Sequence, residues 1–471
     1  MRIVETSLWR KHLHARMPFK YGIVTMTELP HVFLQATCEF DGVVATGTAA
    51  DHLPPKWFTK DPTKDPLVEI EDMLVVIRHA VKVATSVQAP TVFGWWQQVY
   101  QGQDAWSQAE KIPPLLAHFG TSLIERAVID AFCRAKGISF ATAVQQNSLG
   151  IDLGAVRPEL ANSAPADWLP SSLPHHVFAR HTVGLVDPLW ETDINPADRV
   201  QDGLPQSLEA SIAAYGLRHF KLKVSGGADT ERLLKIVEVL ERCAAPGWVC
   251  TIDGNEGFKS VAAFRTFWES VIGNPKLEAL RRGLLFVEQP FHRDLALSDE
   301  IGALASQWPA RPPIIIDESD GSLTSLPRAL ALGYVGTSHK NCKGVLKGLI
   351  NACHISYLRK TKPGQSWTIS GEDLSNVGPV AMLQDLAVQT VLGVTSVERN
   401  GHQYFAGLSA WPEAIQTSML QHHPDLYARA RQGWPSLIVK EGEVSVESVV
   451  RAPLGVGFPF NPEAAGASKI S

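Results

Sequence analysis

The chain has 471 residues, of which 45% are apolar and 19% charged, so it can build a large core and is not disordered as a whole. Its net charge of −5 argues against a nucleic-acid partner. The sequence contains no apolar run of about 18 residues, so we expect no membrane span. Its first residues do not resemble a secretion signal, so we expect a cytoplasmic protein. The length predicts two to four domains, or one barrel of about 250 residues with a smaller partner.

The six cysteines agree with a cytoplasmic location. They are scattered, none belongs to a CxxC pair, and the spacing of Cys243 and Cys250 fits neither a zinc site nor a redox motif. We therefore expect free, buried thiols in a reducing compartment.

The first 150 residues are predicted to form strands followed by helices. The β-rich segment 31–47, turning at Asp41-Gly42, predicts an antiparallel hairpin. Apolar residues at helical spacing predict helices over 66–89 and 104–138. Strands followed by helices are typical of an α+β unit.

Residues 151–205 are rich in proline and polar side chains, which indicates a junction, and one β-like segment interrupts them. Beyond this junction, helices alternate with short apolar strands, a pattern typical of parallel pairing. The predicted strands are 177–185, 219–224, 248–253, 284–288, 313–317, 335–339, 366–370 and 394–398. The predicted helices between them are 206–215, 229–243, 260–272, 297–306, 323–332, 344–358 and 378–390.

Eight strands of this kind can close into a barrel over 177–400. An open, doubly wound sheet suits the same alternation. It is disfavoured because no predicted strand is followed by GxGxxG or GxxxxGK[ST].

Charged side chains stand at the C-terminal ends of consecutive predicted strands, where barrel enzymes carry their active sites. Charge beside apolar strands is costly unless it is paired or bound to a metal. Because side chains alternate along a strand, two lysines, three carboxylates and a further lysine are expected to converge on one pocket. The strand ends read Lys221-Leu222-Lys223, Asp253-Gly254-Asn255, Glu288-Gln289-Pro290, Asp317-Glu318-Ser319 and His339-Lys340.

The carboxylates Asp253, Glu288 and Asp317 on three successive strands predict a site for a hard cation. Oxygen-only ligands favour Mg²⁺, with Mn²⁺ as an alternative, over zinc. Taken singly, each carboxylate is more simply explained as a helix cap or an ion-pair member. Their regular succession beside lysines favours the metal site.

Lys223 and Lys340 stand on either side of this carboxylate set. A nearby cation lowers the pKa of a lysine toward the range in which it accepts a proton. The two lysines are therefore candidates to act on opposite faces of one carbon. The metal would hold a substrate carboxylate and stabilise the enolate formed when the α-proton leaves.

This ordered series resembles the enolase superfamily, and more narrowly its muconate-lactonizing-enzyme subgroup within the mandelate racemase/muconate lactonizing enzyme family. The spacings between the successive residues Lys223, Asp253, Glu288, Asp317 and Lys340 are 30, 35, 29 and 23 residues. The Lys-x-x-Lys-Gly motif that begins at Lys340 adds to the resemblance.

The resemblance covers nearly the whole chain and implies a fold. That fold is α/β, a (β/α)7β-type TIM barrel over 177–400 with an α+β capping domain over 1–160. Residues 16–19 and the 31–47 hairpin are similar to the family's cap. Residues 401–471 are similar to its C-terminal return, which completes the cap.

The resemblance also implies roles for single residues. Asp253, Glu288 and Asp317 match the metal ligands, and Glu318 is the less favoured third ligand. The remaining matches are Lys223 as the base on one face, Lys221 as its electrostatic helper, Lys340 as the acid/base on the other face, and Asn255 as a substrate-contacting residue.

Three departures from the family pattern limit the comparison. The predicted strand at 366–370 is followed by no histidine, which the mandelate-racemase subgroup uses as its second base, so Lys340 keeps that role. Only one glycine, Gly344, follows Lys343 where two are expected. Glu398 and Asn400 replace the two aspartates of dipeptide epimerases and are candidates to hold a substrate ammonium or hydroxyl.

The expected protein is a Mg²⁺-dependent isomerase (racemase, epimerase or cycloisomerase) of a small carboxylic acid. An acid-sugar dehydratase, a lyase of the same superfamily, is disfavoured because no acid for the leaving group is evident. A noncatalytic binding protein on the same barrel is expected to lack a ligand or a lysine. A metal-dependent hydrolase would carry several histidines at its strand ends.

Substrate specificity is expected from cap loops at about 16–30 and 48–66. Their candidate contacts are Phe19, Lys20, Tyr21 and Lys56. A homo-oligomer is possible.

Overall fold

The chain begins with three long antiparallel strands. The computed structural model describes residues 1–21, 24–227, 229–302 and 304–470. The strands β1 (Arg2–Tyr21), β2 (Val24–Phe40) and β3 (Val43–His52) form one sheet in that order, and the predicted Asp41-Gly42 turn joins the last two. The prediction of a loop at 16–30 is wrong, because ladder pairing between β1 and β2 resumes after an irregularity and continues to the end of β1.

Four helices follow the sheet: α1 (Pro66–Ser86), α2 (Val92–Ala109), α3 (Pro114–Lys136) and α4 (Phe140–Gln145). The single helix predicted over 104–138 is divided, because Pro113 and Pro114 interrupt it. Helix α3 lies close against β3. A Cβ atom on Gly47 would lie 2.1 Å from the Ala127 carbonyl oxygen, so only glycine permits this approach.

Eight parallel strands close into a barrel, as predicted. They are β4 (His176–Val183), β5 (His219–Lys223), β6 (Val249–Asp253), β7 (Leu284–Glu288), β8 (Ile314–Ile316), β9 (Gly336–His339), β10 (Thr368–Gly371) and β11 (Ser396–Glu398). Each strand pairs with the next in the chain, and β11 pairs with β4 to close the ring. The barrel forms because short apolar strands buried on both faces alternate with covering helices.

The helices of the barrel region are α5 (Leu208–Tyr215), α6 (Asp229–Cys243), α7 (Val261–Ile272), α8 (Glu278–Gly283), α9 (Arg293–Ala296), α10 (Leu304–Gln307), α11 (Ser325–Ala331), α12 (Val345–Thr361) and α13 (Ala381–Val391). The prediction of one helix over 297–306 is wrong. The extended backbone of Ser298 separates α9 from a 3₁₀ turn at 299–301, and α10 begins at Leu304.

The C-terminal segment returns to both sheets. It contains α14 (Gly401–Tyr404), α15 (Glu413–His422), β12 (Tyr427–Arg429), β13 (Pro435–Leu437), β14 (Glu443–Ser445), α16 (Glu447–Arg451) and β15 (Ser468–Lys469). Strand β14 pairs antiparallel with β4 outside the barrel, and β15 pairs antiparallel with β1. Within the described residues, every helix is too short or too polar to cross a membrane.

Candidate active site

The register of the barrel places the predicted site residues at one end. Lys223 on β5 is the ladder partner of Asp253 on β6, which is in turn the partner of Glu288 on β7. Asp317 and Lys340 directly follow β8 and β9. Since β5 and β9 are four strands apart in a ring of eight, Lys223 and Lys340 stand on opposite sides of the barrel mouth.

A cleft opens at this end of the barrel. Its floor carries charged side chains from the strand ends, and its rim carries apolar side chains from the cap. The described residues that line it are Leu29, Pro54, Trp57, Lys221, Lys223, Asp253, Asn255, Asp317, Lys340, Asp373, Leu374, Ser375, Glu398 and Asn400.

Lys221 lies at the centre of the carboxylates and is buried. Its Nζ is 3.0 Å from Asp253 Oδ2 and 3.0 Å from Glu288 Oε2, and it donates hydrogen bonds to Glu372 (2.7 Å) and Glu398 (3.2 Å). Burial opposes the charge of Lys221, but these carboxylates outweigh burial and raise its pKa. Lys221 is therefore a fixed positive charge in the floor of the cleft.

The two lysines that face each other have separate carboxylate partners. Lys223 Nζ donates to Asp253 Oδ2 at 2.6 Å, and Lys340 Nζ donates to Asp317 Oδ2 at 2.6 Å. The indole ring of Trp57 covers Lys340, with 5.1 Å from Nζ to the ring centroid. Burial lowers the pKa of Lys340, but Asp317 more than offsets this effect and raises the pKa above its ordinary value.

The chemistry of the donor set fits a hard divalent cation. Burial and the neighbouring Glu372 raise the pKa of Glu288, and its Oε2 accepts no hydrogen bond although Lys221 lies nearby. The carboxylates in the floor of the cleft therefore repel one another. A bound divalent cation would reduce this repulsion and use their free acceptor oxygens. Among the described residues, no three His, Cys, Asp or Glu side chains are already arranged as ligands of one ion, because lysine ammonium groups lie between the carboxylates.

Glu398 and Asn400 also lie in the cleft. Glu398 Oε1 accepts hydrogen bonds from Thr182 Oγ1 (2.7 Å) and Asn400 Nδ2 (2.9 Å), which hold both side chains against the wall. The buried Asn400 Oδ1 accepts no hydrogen bond within the described protein. The backbone N–H of Asn255 donates to Asp253 Oδ1 at 2.8 Å, at the edge of the carboxylate set.

Other predicted contacts are not part of the described cleft lining. Glu318 is buried outside the cleft lining, where burial and Asp317 raise its pKa to about 7. Lys20 is half-buried and does not line the cleft. Lys56 donates to the Asp61 carbonyl within its own loop. The side chains of Phe19 and Tyr21 lie outside the part of the structure that is described.

Sequence reasoning missed Glu372, which directly follows β10. Its carboxylate accepts hydrogen bonds from Lys221 and Arg180, and it lies within hydrogen-bond reach of the Glu398 carboxyl group. Burial raises the pKa of Glu372, whereas Lys221 holds the pKa of Glu398 well below its ordinary value. The sequence does carry a signal for this residue, because Glu372 is a carboxylate that closely follows a predicted apolar strand.

No protein-family model and no curated protein matches the sequence. Several solved structures match the fold over nearly the whole chain. N-succinyl Arg/Lys racemase from Bacillus cereus is 14% identical with a TM-score of 0.62, and the match covers 100% of both chains. Muconate lactonizing enzyme from Pseudomonas fluorescens, solved with muconolactone, is 15% identical with a TM-score of 0.60 and coverage of 99% and 98%.

Dipeptide epimerase from Cytophaga hutchinsonii, solved with Mg and the dipeptide D-Ala-L-Val, is 14% identical with a TM-score of 0.58, covering 100% of this chain and 99% of that one. Two further matching structures, from Enterococcus faecalis and Listeria innocua, are described as members of the enolase superfamily, at 16% and 15% identity and TM-scores of 0.58 and 0.61. At such identities the likeness establishes the fold alone, a barrel with a cap.

Proposed function

We propose that the protein is an isomerase of the enolase superfamily that removes the proton α to a carboxylate. The single observation that carries the proposal is the placement of Lys223 and Lys340 on opposite sides of one cleft, with Asp253, Glu288 and Asp317 between them. The fold is shared with a racemase, an epimerase and a lactonizing enzyme, which supports this class of reaction.

Asp253, Glu288 and Asp317 would hold a divalent cation, Mg²⁺ or Mn²⁺, with Glu318 as the alternative to Asp317. The cation would neutralise the substrate carboxylate and the negative charge that develops when the α-proton leaves. The neighbouring dipeptide epimerase was solved with Mg, which supports this assignment.

The two lysines would exchange the proton. The neutral Nζ of one lysine would take the α-proton from one face of the substrate. The ammonium of the other lysine would donate a proton to the opposite face, which inverts the configuration at the α-carbon. Lys221, fixed as a cation beside the same Asp253 carboxylate, would be the electrostatic helper of Lys223. In a cycloisomerisation that closes a ring, a second carboxylate of the substrate would add to a conjugated carbon–carbon double bond, and one lysine ammonium would protonate the α-carbon of the resulting enolate.

The substrate would be a small carboxylic acid, bound with the help of Asn255, Glu398 and Asn400. Phe19 and Lys20 of the cap hairpin stay predicted contacts from the sequence, although Lys20 does not line the cleft in this structure. Acid-sugar dehydration is the alternative reaction. A cytoplasmic location and a homo-oligomer remain predictions from the sequence.

The first prediction tests the two lysines separately. Incubated in D₂O with Mg²⁺ and a panel of N-acyl amino acids, dipeptides, muconates and acid sugars, the wild-type protein should incorporate deuterium at the α-carbon of an active substrate. For a chiral substrate, Lys340→Ala should abolish exchange from one enantiomer and Lys223→Ala from the other, because each removes one base. Proton NMR follows the loss of the α-proton signal.

The matched control is Lys235→Ala on the exposed face of α6, which should exchange both enantiomers at the wild-type rate. Full exchange from both enantiomers in Lys223→Ala or Lys340→Ala would remove that lysine from the mechanism. Circular dichroism establishes that each variant is folded.

A further inference from the structure

Arg293, at the start of α9, joins the barrel to the cap. Its guanidinium donates to both carboxylate oxygens of Glu256, at 2.8 and 2.9 Å. It also donates to the carbonyl oxygens of Phe58 (2.7 Å) and Trp57 (2.9 Å). These carbonyls belong to residues 53–65 between β3 and α1, which we call the cap loop. One planar cation therefore holds two consecutive carbonyls of the cap loop against a barrel carboxylate.

The barrel side of this junction is rigid and buried. The Glu256 side chain is 1% exposed, and Lys60 of the cap loop lies 3.1 Å from Glu256 Oε2 and donates to the Asn255 carbonyl. Asn255 and Glu256 have φ values of 43° and 64°, which non-glycine residues rarely adopt. Surrounding contacts must hold such a backbone in place, and Arg293 and Lys60 supply them.

The cap side of the junction reaches the cleft through Trp57. Its carbonyl binds Arg293, and its indole ring both lines the cleft and covers Lys340 Nζ at 5.1 Å. The face of an aromatic ring attracts an ammonium group, and the ring also restricts the positions that the amine can take. Lys223, on the other side of the mouth, has its closest charged partner in Asp253 and, like Asn255, lines the cleft.

We propose that Arg293 is a positioning residue that fixes the Trp57 backbone, so that the indole ring holds Lys340 in its working position. The cap loop thereby positions the lysine on one face of the substrate, whereas the barrel positions Lys223 on the other face. This inference rests on the proposed function, because it divides that reaction into two faces.

The contact itself can be measured without any substrate. In protein labelled with ¹³C-lysine, the ring current of Trp57 should shift the ε-methylene proton signals of Lys340 upfield; Lys340→Arg identifies these signals. Arg293→Gln should abolish the upfield shift, as Trp57→Leu does. Arg293→Lys should also abolish it, because an ammonium cannot bind the carboxylate and both carbonyls in one plane. Arg265→Gln, an exposed arginine on α7, is the matched control and should leave the signals unchanged.

An unchanged upfield shift in both Arg293 variants, each folded by circular dichroism, would overturn the inference. If Arg293→Gln does not fold, Arg293→Lys, which keeps the charge, carries the test.

The second readout separates the two faces of the reaction. For a chiral N-acyl amino acid or dipeptide, Arg293→Gln should slow deuterium exchange at least tenfold for the enantiomer that depends on Lys340. Exchange that depends on Lys223 should stay within twofold of wild type. Equal losses on both faces would mean that Arg293 only supports the fold. If the wild-type protein exchanges no substrate, the proposed function fails, whereas the lysine spectra still decide the role of Arg293.

Discussion

At the scale of single residues, the carboxylates of the cleft are organised around Lys221 rather than around Lys223 and Lys340 on its opposite sides. Its ammonium lies within 3.2 Å of oxygens from Asp253, Glu288, Glu372 and Glu398. Buried carboxylates are costly unless they are paired, so this one cation allows them to share a small volume. The same pairing holds the pKa of Glu398 well below its ordinary value.

Replacing Lys221 with methionine should therefore destabilise the protein strongly. Removal of one partner leaves buried charges unpaired, so the free energy of unfolding at pH 7.5 should fall by about 3–5 kcal/mol. Without the lysine, the pKa of the freed carboxylates rises. Their protonation between pH 7.5 and pH 5 should therefore make the loss of stability smaller at pH 5 than at pH 7.5. Urea unfolding at both pH values measures this difference.

The exposed Lys235→Met on α6 is the comparison and should change stability by less than about 0.5 kcal/mol at either pH. A Lys221→Met protein as stable as wild type at pH 7.5 would show that the carboxylates do not depend on this cation.

At the scale of elements, a single carboxylate joins a cap helix to a barrel helix. Glu125 of α3 accepts hydrogen bonds from the Val345 and Leu346 N–H groups at the start of α12. The first N–H groups of a helix have no partner within it, so an acceptor from another element satisfies them. Burial raises the pKa of Glu125 to about 7.

Glu125 should therefore weaken the fold as pH rises. Its folded-state pKa lies above the unfolded value of about 4.5, so the native state binds the extra proton between pH 4.5 and 7 and loses that stabilisation as pH rises through 7. Glu125→Gln cannot titrate. Its free energy of unfolding, relative to wild type, should increase by up to about 3 kcal/mol between pH 5 and pH 8.

Denaturant unfolding at closely spaced pH values checks this expectation. The exposed Glu231→Gln on α6 should show no such trend. A difference between Glu125→Gln and wild type that does not vary with pH would contradict it.

At the scale of the whole molecule, the cap and the barrel meet around the cleft at several polar contacts. Arg16 of β1 donates to the carbonyls of Pro205 and Gln403, and His52 of β3 lies 3.1 Å from the Leu374 carbonyl. The division of the chain at 1–160, 177–400 and 401–471 stays a prediction. The pairing of β15 with β1 supports the view that both chain ends build the cap.

A cation bound among the strand ends should stabilise the whole fold, because it binds the native state only. At a Mg²⁺ concentration of 100 times Kd, the expected gain is about 2.7 kcal/mol. Thermal unfolding should show Tm rising with Mg²⁺ in the wild-type protein and not in Asp253→Asn. Asp294→Asn, which changes an exposed aspartate, should respond as wild type does. An equal rise in Asp253→Asn would remove Asp253 from the ligand set.

The sequence alone determined the barrel and the strand ends at which its charged residues stand. Alternating helices and apolar strands are local patterns, and charge at a strand end is visible because burial makes it costly. Lys223, Asp253 and Glu288 could therefore be placed on adjacent strands, and the register confirms that they are ladder partners.

Only the tertiary structure decided which distant groups meet. Glu372 contacts Lys221 across 151 positions of the chain, and Arg293 reaches the Phe58 carbonyl across 235. No periodicity records such contacts, because they follow from barrel closure and from the seating of the cap. The covering of Lys340 by Trp57 has the same origin, since it depends on where the cap loop comes to rest above the mouth.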